Sequence, residues 1–173
     1  SKTQPAGAIR EAYACGQRDF GENYLQEALA KEAELADLPL EWHFIGPIQS
    51  NKTRAIAENF AWVHSVDRLK LAERLSAQRP AGLSPLNLCL QVNVSGEASK
   101  SGCPPQERPA LAALVSRLPH LRLRGLMAIP QATTDTAAQQ AAFARLRALR
   151  DSLDLPLDTL SMGMSEDLEA AIA

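Results

Sequence analysis

What the sequence lacks narrows its reading first. No apolar run in its 173 residues approaches the roughly 20 residues a membrane-spanning helix needs. No signal-peptide pattern opens it either. Cysteine is sparse and odd in number, and Cys15, Cys89 and Cys103 have neither metal-site nor redox spacing. A reducing, cytoplasmic setting is therefore expected. The three histidines (His43, His64, His120) also lack metal-site spacing, and each reads more readily as a core residue than as a ligand. Neither charge dominates: the net charge is -2, and no basic stripe or aromatic cluster offers itself to nucleic acid or to an anionic membrane. The arginines between 117 and 124 read as solvated faces. Linkers and internal repeats are missing too, so residues 1–173 are expected to form one domain.

What is present is alternation. The hydrophobic fraction of 46% is enough for a sizeable core. Aromatic and β-branched residues run from Trp42 to Ile48, break at Gly46-Pro47, and restart as a helix over 51–59 with Ser50 as its expected N-cap. The same strand-to-helix unit recurs. Strands are predicted over 18–22, 62–66, 86–94 and 121–129, and a last one from Asp158. Residues 1–3 read as the end of a first strand. Helices are expected after Pro5 (ending at Gly16), behind Asn23 and Asp67 as caps, from the 106–109 region, after the polar loop 131–136, and from Glu166. In 86–94 the leucines and valines alternate with Asn87, Cys89, Gln91 and Asn93. Such a strand has a helix layer on one side and a more polar interior on the other.

Strand–helix alternation requires parallel strands with right-handed crossovers. An open doubly wound sheet and a (β/α) barrel both satisfy that. Polar residues gather after nearly every strand rather than at one switch point, which favours a (β/α)8 TIM-type barrel. About seven strands are legible where such a barrel has eight, and barrels rarely close in much under roughly 200 residues. The chain is therefore expected to be incomplete at both ends.

Two places could carry chemistry. Lys2 falls at the end of the expected first strand, pointing into the barrel mouth, where desolvation would favour the free amine that Schiff-base formation needs. On composition alone a terminal lysine is far more often a solvated charge. The stretch Ser161-Met162-Gly163-Met164-Ser165 offers small residues, hydroxyls and a helix start to an anion such as phosphate. Simple capping by Ser165 competes evenly with that reading. Glu166 and Asp167 would repel a phosphate on the helix end itself, so the anion belongs on the loop side. Gly21-Glu22-Asn23 could put a carboxylate and an amide in the same mouth, a reading that capping by Asn23 at least equals. Cys89 reads as core, and Cys103 as an unremarkable loop thiol.

Six spaced motifs together resemble the pyridoxal phosphate homeostasis protein family, in order and across the whole chain. They are Ser1-Lys2-Thr3-Gln4-Pro5, Phe20-Gly21-Glu22-Asn23-Tyr24, the stretch from His43 to Lys52, Ser99-Lys100-Ser101-Gly102, Arg124-Gly125-Leu126-Met127 and Leu160 to Ser165. The resemblance implies a barrel similar to the N-terminal domain of alanine racemase. It implies that Lys2 holds pyridoxal 5′-phosphate as an internal aldimine. It also implies that Ser161, Met164 and Ser165 help hold the phosphate, and that Asn23 and His43 line the pocket. Family members are thought to store or deliver the cofactor and to affect amino-acid and keto-acid balance, with no secure catalytic reaction. The family's N-terminal helix, full first strand and final strand with its Arg-Ile-Gly segment have no counterpart here.

Other readings remain at this level. A pyridoxal phosphate enzyme of the racemase or decarboxylase type would need a second, β-rich domain. A Schiff-base aldolase would carry its lysine on a later strand. A macromolecule-binding module lacks a supporting surface. The expectation is a monomeric carrier whose partners are the cofactor and apo-enzymes that receive it, with Lys100 assisting release.

Overall fold

Strands and helices alternate along the chain in the computed structural model, which describes residues 1–95 and 101–173. The order is α1 (Ala6–Ala14), β1 (Asp19–Glu22), α2 (Leu25–Glu34), β2 (Glu41–Phe44), α3 (Thr53–Asn59), β3 (Trp62–Val66) and α4 (Leu69–Gln78). It continues with β4 (Leu86–Gln91), α5 (Arg108–Val115), β5 (Leu121–Met127), α6 (Thr136–Asp151), β6 (Thr159–Ser161) and α7 (Leu168–Ile172). The six strands form one parallel sheet in sequential order, β1 to β6. A doubly wound sheet reverses its order at a switch point. Here each new strand is added on the same side, as in a barrel wall.

One contact shows how far the wall curls. His64 Nδ1 on β3 lies 2.7 Å from Ser161 Oγ on β6. Neighbouring strands are about 4.8 Å apart, so three steps across a flat sheet would span roughly 14 Å. The strands between must therefore bow outward. The result is an incomplete (β/α) barrel with β1 and β6 at its open edges.

Side-chain alternation sorts the two faces. Leu86, Leu88 and Leu90 of β4 are fully buried with Val63, Leu71, Leu75 and Leu126 under the helix layer. Cys89 points the other way and packs with Trp62 and Met127 inside the barrel. Burial there pushes its thiol up to about 12, so it is an inert core group. The interior is polar at the N-terminal ends of the strands. Arg124 donates to both Asp158 oxygens and to Asn87 Oδ1 and lies over the Trp62 ring at 4.7 Å. That corrects the reading of Arg124 as part of a solvated face: it is an inward residue of β5, held by a carboxylate and a π-face.

The boundaries depart from the sequence reading in ways that shape the site. Residues 1–3 are not a strand. The Ser1 nitrogen donates to the Gly21 carbonyl at 2.6 Å, but Thr3 turns the chain at φ 65° before a ladder can grow. The β2 ladder stops at Phe44. Ile45 N–H still reaches the Glu22 carbonyl at 2.9 Å, after which Gly46 bends away and Pro47 has no donor. Asn23, Ser50 and Asp67 do not cap their helices; Tyr24, Lys52 and Arg68 occupy those N-cap positions without side-chain caps. Ser50 instead presents its carbonyl to Thr53 Oγ1, and Asp67 pairs with Arg68. A side-chain cap does open α6, where Asp135 Oδ1 accepts from Ala137 and Ala138 N–H.

Candidate functional site

The C-terminal ends of β1, β2, β5 and β6 converge on a cavity of about 240 Å³. Asn23 enters it from the residue after β1, Ser161 from the end of β6, and Lys2 from the turn before α1. Met127 and Ile45 supply apolar wall. Asn23 is half-buried, and its Oδ1 is buried without a hydrogen-bond partner. Buried polar atoms are rarely left so. A second hollow of about 220 Å³, between α6 and α7, is walled by Phe143, alanines, Gln140 and Arg147, and among the described residues it carries neither lysine nor hydroxyl.

Four of the six residues singled out from the sequence therefore meet here: Lys2, Asn23, Ser161 and Met164. Lys2 sits in an exposed turn, not desolvated at a strand end as expected, because the segment before α1 has no ladder to lie in. The loop 161–164 owes its shape to Gly163, at φ 84°. There the Met164 N–H donates to Asp167 Oδ1 at 2.5 Å, so a carboxylate already stands where an anion on this loop would draw its donor. Ser165 is exposed and outside the cavity wall, because its side chain leaves the turn on the solvent side. Lys100 lies outside the described residues.

His43 also lies outside the wall, one layer deeper in the barrel. It stacks on Trp62, with ring centroids 5.2 Å apart and planes within 6°. It reaches the cavity indirectly. Asp19 Oδ1 is 3.3 Å from His43 Nε2, His43 Nδ1 is 3.0 Å from His64 Nε2, and His64 Nδ1 is 2.7 Å from Ser161 Oγ. Burial lowers the pKa of His43, against the opposing pull of Asp19 and Glu41. Burial and then the neighbouring His43 push His64 down to about 4. Both rings are neutral at physiological pH. His64 is the residue that sequence reasoning missed. Its signal was period-two alternation in β3, which puts it on the inward face with Trp62, the residue that pairs with His43 of β2.

A family model described as the N-terminal domain of alanine racemase matches residues 2–173. The pyridoxal phosphate homeostasis protein of Pseudomonas aeruginosa is 77% identical over 172 residues, spanning 99% of this chain and 75% of that protein. The protein of the same name from Escherichia coli strain K12 is 54% identical, over 100% of this chain and 76% of its own length. The chain belongs to the pyridoxal phosphate homeostasis protein family. Among solved structures, PipY of Synechococcus elongatus PCC7942, determined with PLP bound, superposes with a TM-score of 0.89 at 48% identity, over 99% of this chain and 82% of PipY. The incomplete barrel described above thus has the fold of the alanine racemase N-terminal domain and matches the larger part of PipY, and its cavity lies at the strand ends where barrels of this kind place ligands.

Proposed function

We propose that this protein binds pyridoxal 5′-phosphate in the cavity between Lys2, Asn23 and the loop 161–164, and that it holds and hands on the cofactor rather than catalysing with it. The carrying observation is the convergence of an amine, an orphaned buried amide oxygen and a hydroxyl on one cavity. The donor set suits the group. Lys2 supplies an amine for an aldehyde, Ser161 a hydroxyl for a phosphate, and Asn23 an amide for the polar edge of a ring lying against Met127 and Ile45. When bound, the cofactor supplies an electrophilic carbonyl carbon. The chain's own part is to hold that carbon against Lys2 and to fix the phosphate at the loop. The Asp167 carboxylate must yield the Met164 N–H if the backbone is to join in.

Two features favour a carrier over an enzyme. Lys2 is exposed, within reach of amines arriving from solvent. Among the described residues of the cavity wall, Lys2 and Asp167 are the ionisable ones, and Asp167 is occupied by the loop. The relatives, moreover, are named homeostasis proteins. This reading assigns apo-enzymes that need the cofactor as recipients, a monomeric single-domain state and a cytoplasmic location, the last in keeping with three free thiols. Among the described residues, no helix is long and apolar enough to cross a membrane.

The test is to add pyridoxal 5′-phosphate, record the visible spectrum, reduce with borohydride and map the modified peptide. A yellow protein modified at Lys2, with Lys2→Ala unlabelled, supports the reading. A colourless protein, or a label on another lysine, removes it.

A further inference from the structure

The hydrogen-bonded row from Asp19 to Ser161 has a direction. Each ring nitrogen of a neutral imidazole is a donor or an acceptor, never both. With Asp19 ionised, His43 carries its proton on Nε2 and accepts at Nδ1. His64 then carries its proton on Nε2 and accepts at Nδ1, so the Ser161 hydroxyl must donate to His64. In this resting arrangement the Ser161 hydroxyl has only lone pairs to offer the cavity. That is the wrong polarity for a phosphate dianion, which has no proton to give.

We infer that Asp19, His43 and His64 form a proton relay that sets the polarity of the Ser161 hydroxyl, so that holding a phosphate at Ser161 is coupled to uptake of one proton by His43. This rests on the cofactor reading above and deepens it. The proton count is explicit. At rest, His43, His64 and Ser161 carry one exchangeable proton each. With the anion in place, Ser161 O–H donates to the phosphate, and His64 Nδ1–H donates to Ser161 Oγ. His43 Nδ1–H then donates to His64 Nε2, while His43 Nε2–H continues to donate to Asp19. His43 now carries two protons, His64 one and Ser161 one. The added proton comes from solvent, or from the phosphate itself when it arrives as the monoanion. No bond changes except N–H and O–H.

The surroundings suit the charge that results. Asp19 on β1 stands 3.3 Å from His43 Nε2. Glu41, on the same strand as His43, also favours a cation there, while its Oε1 accepts from Trp62 Nε1 at 2.6 Å. Arg124, over the Trp62 ring at 4.7 Å, is paired with Asp158. His64 is the remaining titratable group against the ring. Its neutral state at rest is what leaves the relay free to turn. His43 and His64 are thus positioning residues acting through Ser161.

Isothermal titration calorimetry of the full chain with pyridoxal 5′-phosphate, in buffers of different ionisation enthalpy at pH 7.5, counts protons taken up per ligand. Protons belonging to the ligand and to Lys2 are common to all variants and cancel in the difference. The wild type should take up about one proton more than Asp19→Asn, which removes the exposed anion pairing His43, and than His64→Gln, which breaks the relay. Should His64→Gln fail to fold, Asp19→Asn at the surface decides alone. Tight binding with the same proton count in wild type and variants overturns the relay and leaves the cofactor site standing. If the wild type binds no cofactor, the site and the relay fall together.

Discussion

A Cβ built on Gly46 would stand 2.1 Å from the backbone carbonyl oxygen of Asn23. The chain leaving β2 and the chain leaving β1 are pressed together at that point, and the Ser65 hydroxyl donates to the Gly46 carbonyl from β3. This contact fixes how deep the Asn23 amide sits in the cavity. Gly46→Ala should therefore cost about 1–3 kcal/mol, as overpacking does. It should also weaken cofactor binding, since Asn23 must retreat. Urea unfolding and a binding isotherm on the same preparation check both effects.

Lys31 on α2 is buried against Glu22, at 2.9 Å, and also reaches the partly exposed Glu27 at 2.6 Å. Burial alone would lower the Lys31 ammonium, but the hydrogen bonds it donates to the two carboxylates outweigh that and raise it. Lys31→Met leaves Glu22, fully buried with Oε2 already unpartnered, without its counter-charge. The expected loss is about 3–5 kcal/mol, read by denaturant unfolding. Adding Glu22→Gln to Lys31→Met should recover a large part of it.

The protein without ligand should lose stability as pH falls from 6.5 towards 4. In that window an unfolded chain protonates His64, whereas in the fold burial holds the ring neutral until about 4. The unfolded state then binds more protons, so stability rises with pH across the window and levels off below it. The two limits, 6.5 and about 4, correspond to at most about 3 kcal/mol. Unfolding midpoints across the window measure it. In His64→Gln the slope should flatten.

Ser161→Ala removes the one hydroxyl that the described residues bring to the cavity wall, while leaving the apolar packing intact. A hydrogen bond to a charged group is worth about 1.5–3 kcal/mol, so affinity for pyridoxal 5′-phosphate should drop at least about tenfold. Affinity for pyridoxal, which has no phosphate, should be unchanged. Equal losses for both ligands would place the phosphate elsewhere.

How much of this was legible beforehand follows from where each signal lives. Periodicity is local, and the 3–4 spacing of Leu71, Ala72 and Leu75 correctly marked the buried face of α4. Alternation in β4 correctly separated Leu88 from Cys89. Helix caps were misread at Asn23, Ser50 and Asp67, because a capping residue type is equally at home in a turn and tertiary contacts chose the turn. Arg124 was misread because an inward arginine needs Trp62 and Asp158, from two other stretches of chain, to explain it. His64 was read correctly as a core residue, but its link to the cavity was not foreseen: its partner Ser161 is 97 residues away and becomes a neighbour when the wall curls. Lys2, Asn23 and the loop 161–164 were legible as candidates from their places at strand ends, while the direction of the hydrogen bonds reaching Ser161 depends on the folded structure.

The most direct test of the central claim is a crystal structure of the protein grown with pyridoxal 5′-phosphate. Density continuous with Lys2 Nζ, a ring beside Asn23, and a phosphate within hydrogen-bonding distance of Ser161 Oγ are the expected result. Cofactor density joined to another lysine, or a phosphate away from the loop 161–164, would contradict it.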